Sequence, residues 1–175
     1  MIRYTLHRLF YKAVRIIIMP YLRRRFGFRF IKSKTPDCPS LILSNHNTDW
    51  DPFFLSQSFP DHMYFVASEH IFRWGLASRM IKYLAAPIPR AKATNEIRTV
   101  KQVLRMLKSG YNVCIFAEGN RSFNGETSDI SASTGKLVKQ SGAALITYRL
   151  RGGYFTQPRW GRTIDRVKLG WEKQS

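Results

Sequence analysis

Leu41-Ile42-Leu43-Ser44-Asn45-His46-Asn47-Thr48-Asp49-Trp50-Asp51-Pro52 is the stretch that decides the fold class. An apolar, strand-like run ends at Ser44, a polar cluster follows, and Asp51-Pro52 has the composition of a helix start, with proline placed where a first-turn N–H is dispensable. The same change of period recurs outward from it. Strand-like runs lie at Phe28–Ile31, Met63–Ala67, Val113–Ala117 and Leu145–Leu150, and helical patterns at Pro52–Ser58, Glu69–Leu84 and Thr94–Lys108. In the last of these Thr94 can cap, Ile97, Val100, Leu104 and Leu107 form a stripe, and Gly110 follows the end. Alternation of this kind predicts an α/β domain with a largely parallel mixed sheet flanked by helices. In such sheets, ligands collect in the loops after strands.

With 175 residues, 44% of them apolar, the chain has material for one domain with a sizeable core. Its 29 Lys+Arg against 11 Asp+Glu leave +18, a field that favours anionic partners. The two cysteines, Cys38 and Cys114, exclude a disulfide framework and a four-thiolate zinc site, which predicts a reducing, cytosolic-side setting. His7, His62 and His70 lack ligand-like spacing, so no metal is expected; His62 and His70 read as surface or helix-terminus residues.

Residues 1–34 contain ten basic side chains (Arg3, Arg8, Lys12, Arg15, Arg23, Arg24, Arg25, Arg29, Lys32, Lys34) and no acid. Ile2, Leu6, Leu9, Phe10, Ala13, Ile17 and Tyr21 share one helical face, while Arg8, Lys12 and Arg15 gather opposite. Residues 1–27 are therefore expected to form an amphipathic helix in an anionic membrane interface, ahead of a domain over 28–175. The competing reading docks the stripe on the helix's own domain. The apolar run around Ile16–Leu22 is too short and too interrupted for a span or a secretory signal.

Two loops and one extended stretch are candidates for chemistry. His46 is suited to accept a proton near neutral pH, and a carboxylate on its other ring nitrogen, from Asp49 or Asp51, would fix its tautomer. Asp51 also fits a plain helix cap. In Glu118-Gly119-Asn120-Arg121-Ser122, the Gly-Asn turn leaves little bulk near the backbone, and Arg121 offers a planar fork to an anion. Two prolines in Ala86-Pro87-Ile88-Pro89-Arg90 stiffen a segment that ends by presenting Arg90. Nucleotide-loop, zincin and nucleophile-elbow patterns are missing.

Taken in order, these segments resemble the glycerolipid acyltransferase family typified by 1-acyl-sn-glycerol-3-phosphate acyltransferases. Residues 45–52 fit its N-H-x4-D block, which selects His46 and Asp51 as the catalytic pair. Arg90 stands where the second block presents an arginine. Glu118, Gly119 and Arg121 fit the E-G-x-R-S block, which contributes to binding glycerol phosphate. The resemblance covers roughly residues 40–150. It departs at the fourth block, where Thr147 stands in place of a proline. Members also commonly continue for several elements beyond the point where this chain ends at Ser175, so it is a compact member or one lacking its C-terminal part.

The resemblance implies the fold of the glycerol-3-phosphate acyltransferases and acyl transfer to the sn-2 hydroxyl of lysophosphatidic acid. The donor would be acyl-CoA or acyl-carrier protein, and neither metal nor cofactor is required. It also implies a peripheral position on the cytoplasmic face of a membrane. Arg90 and Arg121 would clamp the acceptor phosphate, with Glu118 holding Arg121 or a glycerol hydroxyl. The rivals are a basic nucleic-acid-binding module, which +18 alone supports but which leaves the His46 and Glu118 loops without a role, and a catalytically inactive membrane-bound relative.

Overall fold

The computed structural model describes residues 2–32, 36–68, 79, 82–90, 96–130 and 132–157. A long helix α1 (Ile2–Phe26) precedes β1 (Ser40–Ser44), α2 (Asp51–Ser58), β2 (Met63–Ser68) and β3 (Ile88–Arg90). Then come α3 (Glu96–Lys108), β4 (Asn112–Phe116), α4 (Ala132–Ser141), β5 (Ala144–Tyr148) and a 3-10 turn, Gly153–Thr156. The strands form one sheet in the order β3-β2-β4-β1-β5, and every described pairing is parallel. Leu41 pairs with Val113 and Leu145, and Ser44 with Phe116 and Tyr148, so three strands end level beside the loop that opens at Asn45.

Both sheet faces are covered, as a parallel sheet requires. Ile42 and Cys114 point to one side, where Phe54, Leu55 and Phe59 of α2 and its exit meet Tyr11 and Leu22 of α1. Leu41, Leu43 and Val113 point to the other, against Val103 and Leu107 of α3 and Leu137 of α4. Alternate residues of one strand thus feed two separate cores.

The N-terminal helix docks, but not through the stripe that the competing reading would bury. His7, Tyr11 and Leu22 are buried, whereas Leu9, Ile16, Ile17 and Tyr21 stay exposed. The reason lies in the carbonyls that a helix end leaves unpaired. Tyr11 Oη donates to the carbonyls of Ser56 (3.4 Å) and Phe59 (3.1 Å), and Arg15 donates to those of Gln57 and Pro60, both at 3.2 Å. Polar donors therefore choose the docked face and leave an apolar one outward. Gly27 closes the helix at φ +60, its N–H on the Arg23 carbonyl at 3.0 Å.

Other expectations need correcting. Phe28–Ile31 is no strand: Phe28 stacks on Phe54 at 4.8 Å and Ile31 is exposed. In α3 the buried stripe runs through Val103 and Leu107, and Ile97 faces solvent. Most of the helix expected over Glu69–Leu84 lies outside the described residues, as do Thr94 and His70. His62 is buried, not superficial. No helix among the described residues is long and apolar enough to cross a membrane.

Candidate active site

Because β1 is flanked by β4 and β5, the loops after all three strands converge on one edge of the sheet. Asn45 continues the sheet by side chain: its Nδ2 donates to the Leu150 carbonyl (2.9 Å) and its Oδ1 accepts the Leu150 N–H (2.7 Å). The loop after β4 grips the next peptide, with His46 N–H donating to Glu118 Oε1 at 3.1 Å and Ser122 N–H to the His46 carbonyl at 2.7 Å. The imidazole lies flat on Phe116, ring centres 4.1 Å apart. Backbone and ring are both fixed before any polar partner of the ring is counted.

That partner is Asp51. Its Oδ2 lies 2.8 Å from His46 Nδ1 and also accepts the N–H groups of Asn47 (2.6 Å) and Thr48 (2.9 Å). The carboxylate is fully buried, while the His46 side chain keeps 20% of its surface open. Asp51 therefore does not cap α2 by side chain; it reaches back into the preceding loop, and Trp50 occupies the cap position. The carboxylate on Nδ1 selects the tautomer with its proton on that nitrogen and leaves Nε2 as the acceptor. Asp51 Oδ1 has no hydrogen-bond partner and lies under Gly153, where an added Cβ would stand 3.3 Å from it.

Asp49, the other carboxylate considered for His46, instead accepts from Arg121 Nη1 at 2.8 Å. Arg121 Nη1 also donates to Gln157 Oε1 at 3.3 Å. That oxygen receives Thr48 Oγ1 (3.1 Å) and the Asp49 N–H (3.2 Å) as well. Glu118 spends its second oxygen on Ser128, 3.1 Å from its Oγ. Arg90 comes from β3, two strand spacings and so about 10 Å from β4. Its guanidinium spans that gap to donate to the Gly119 carbonyl. Gly119 has φ +73, and a Cβ there would collide with the guanidinium, which explains why the turn carries glycine.

Thus His46 and Asp51 are in direct contact, Glu118 and Gly119 touch His46 and Arg90 respectively, and Arg121 sits two residues from Arg90's acceptor. Sequence reasoning missed Phe116, Ser128, Gly153 and Gln157. Phe116 was visible only as the end of an apolar run, and nothing local marked Gln157. Cys114, behind the site, is kept protonated by burial, with the Asp51 charge adding to the effect. Among the described residues no group of three or more His, Cys, Asp or Glu is placed to hold a metal.

The sheet thus carries a His-Asp pair at the end of one strand and basic side chains beside the next. The chain belongs to the Acyltransferase family, whose model matches residues 26–151. It is 29% identical over 142 residues to a 1-acyl-sn-glycerol-3-phosphate acyltransferase of Pseudomonas aeruginosa, covering 79% of this chain and 50% of the relative. Its fold is similar to the crystal structure of the 1-acyl-sn-glycerophosphate (LPA) acyltransferase PlsC from Thermotoga maritima. The TM-score is 0.69 at 17% identity, over 86% of this chain and 61% of that one. The chain thus spans about half the length of the curated relative it matches.

Proposed function

We propose that this chain transfers a fatty acyl group from a thioester, acyl-CoA or acyl-carrier protein, to the sn-2 hydroxyl of lysophosphatidic acid. The observation that carries the reading is the 2.8 Å contact between His46 Nδ1 and a buried Asp51 carboxylate that is itself held by two backbone N–H groups. His46 Nε2 takes the hydroxyl proton as the oxygen attacks the thioester carbonyl. The C–O bond forms, the C–S bond breaks, and the proton passes to the departing thiolate. Such general-base assistance contributes about 10²- to 10⁴-fold. No protein nucleophile is needed, because the acceptor's own oxygen attacks.

Arg90 and Arg121 supply the positive charge for the acceptor phosphate, and Glu118 acts through the His46 main chain. The P. aeruginosa relative's name and the fold support this choice of reaction. The outward apolar residues of α1, set among arginines, favour a peripheral seat on an anionic bilayer, where the acceptor resides. An apolar groove of about 420 Å³ lined by Val14, Ile17, Ile18, Tyr21 and Trp50 lies on the same helix.

Thiol release from acyl-CoA and from acyl-carrier protein, each with lysophosphatidic acid vesicles, tests the reading. Turnover that disappears in His46→Ala supports it; turnover that persists in that variant removes the mechanism, and no turnover with either donor removes the activity.

A further inference from the structure

Gln157 has no role in the reaction as written above, yet its side chain sits where three loops meet. It follows the 3-10 turn after β5, and that turn is pinned. The Gln157 N–H donates to the Tyr154 carbonyl (3.2 Å), and Tyr154, itself buried, donates from Oη to the Phe123 carbonyl at 2.8 Å. From this base Gln157 Oε1 accepts from Thr48 Oγ1 and the Asp49 N–H in the loop after β1, and from Arg121 Nη1 in the loop after β4. One oxygen thus ties together the loops that follow three strands.

Three donors, one of them cationic, would be served as well or better by a carboxylate, since charge-assisted hydrogen bonds are the stronger ones. Arg121, however, already holds one carboxylate, Asp49 Oδ2 at 2.8 Å. The Asp49 side chain is 63% exposed, so water shields much of its pull. Position 157 is half-buried, where shielding is weaker and a second acid would cancel the guanidinium's charge. Glutamine accepts the same bonds and adds no charge. We propose that Gln157 is a positioning residue for the acceptor: its neutral oxygen aims Arg121 at the site and leaves that arginine its charge for the acceptor phosphate.

The proposal rests on the acyl-transfer reading, in which Arg121 meets a phosphate, and one set of measurements separates the two. The quantity to follow is kcat/KM for lysophosphatidic acid divided by kcat/KM for 1-monoacylglycerol, which lacks the phosphate. In Gln157→Glu, which keeps the acceptor oxygen, this ratio should fall about fivefold, the size of one charge pair at an accessible site, with no loss in the unfolding midpoint. Adding Asp49→Asn exchanges the Asp49 carboxylate for an amide and should restore the ratio. In the Arg121→Gln background, Gln157→Glu should shift the ratio by less than about twofold, the scatter of independent sites. Calorimetric binding of glycerol 3-phosphate should follow the same order. Turnover with an unchanged ratio in Gln157→Glu overturns the proposal and leaves the reaction standing. So does a fall that persists without Arg121, because the charge then acts on the substrate directly, or one that Asp49→Asn does not restore. A fall accompanied by a lower unfolding midpoint marks a merely structural role and equally overturns it. If the unmodified protein transfers no acyl group yet glycerol 3-phosphate binding follows that order, the positioning role stands and the reaction falls. Neither turnover nor binding overturns both.

Discussion

The main-chain N–H of His46 is hydrogen-bonded to the side chain of Glu118, 72 positions away in sequence, at 3.1 Å. A carboxylate on one loop at this edge of the sheet thereby sets the height of the imidazole carried by another. Glu118→Gln keeps an acceptor oxygen for that N–H and should retain most of kcat. Glu118→Ala releases the peptide, and small displacements of a catalytic group cost about 10²-fold. Comparing kcat for the two variants checks this; equal losses would show that the charge, not the hydrogen bond, matters.

Asp51→Asn should lower kcat by about 10²- to 10⁴-fold, the span of acid-base assistance, because an amide cannot support the imidazolium as the carboxylate does. Asp51→Ala additionally strands the buried N–H groups of Asn47 and Thr48, at about 1–3 kcal/mol each. Thermal unfolding should therefore separate the variants, with alanine clearly the less stable.

At Gly119 any larger residue meets a left-handed backbone and the Arg90 guanidinium together. Gly119→Ala should cost about 1–2 kcal/mol of stability for the backbone alone. By displacing Arg90 it should also raise KM for lysophosphatidic acid more than it lowers kcat. Steady-state kinetics with the acceptor varied measure the split.

His62 is packed edge-on against Tyr11 (5.3 Å) and Tyr64 (4.5 Å), and burial, with His7 and then Arg8 adding, lowers its pKa from 6.5 to about 4. Between those values the unfolded chain binds a proton that the folded one refuses. Stability should therefore fall as pH drops from 6.5 toward 4, by on the order of a few kcal/mol in total. Denaturant midpoints at pH 7 and pH 5 should differ for the native sequence and differ less for His62→Phe.

For α1, charge placed on the outward face should affect membranes and not folding. Ile16→Glu/Ile17→Glu alters exposed side chains, so the unfolding midpoint should hold while sedimentation with anionic vesicles weakens. Leu22→Ala, at a fully buried position, should instead lose about 2–5 kcal/mol of stability.

Four of the five strands were legible as apolar β-rich runs, because both faces of a parallel sheet are buried. The three residues of β3 read as extended but not as a strand, since Pro89 argues against a central position; β3 is at the sheet edge, where proline is tolerated. The short α4 was invisible: Gly135 interrupts it and only Thr134 and Leu137 are buried, too few for a periodic signal. At the site, His46 and Asp51 could be paired because five positions bring a loop residue and a helix start together. The partners of Arg121, Asp49 and Gln157, depend on where three separate strands end, and no local pattern reports that.

Beta1 is an early strand of the chain but a late one to be completed, since its neighbours on either side are β4 and β5. A ribosome that has released residues 40–51 has therefore made both members of the His-Asp pair without giving them a place to stand. Only after Tyr148 has emerged can the sheet close around that strand, a long-range pairing that is intrinsically slow. Catalytic competence should thus arise in one late step of synthesis, and a nascent chain stalled before residue 112 should carry the full dyad in an inert form.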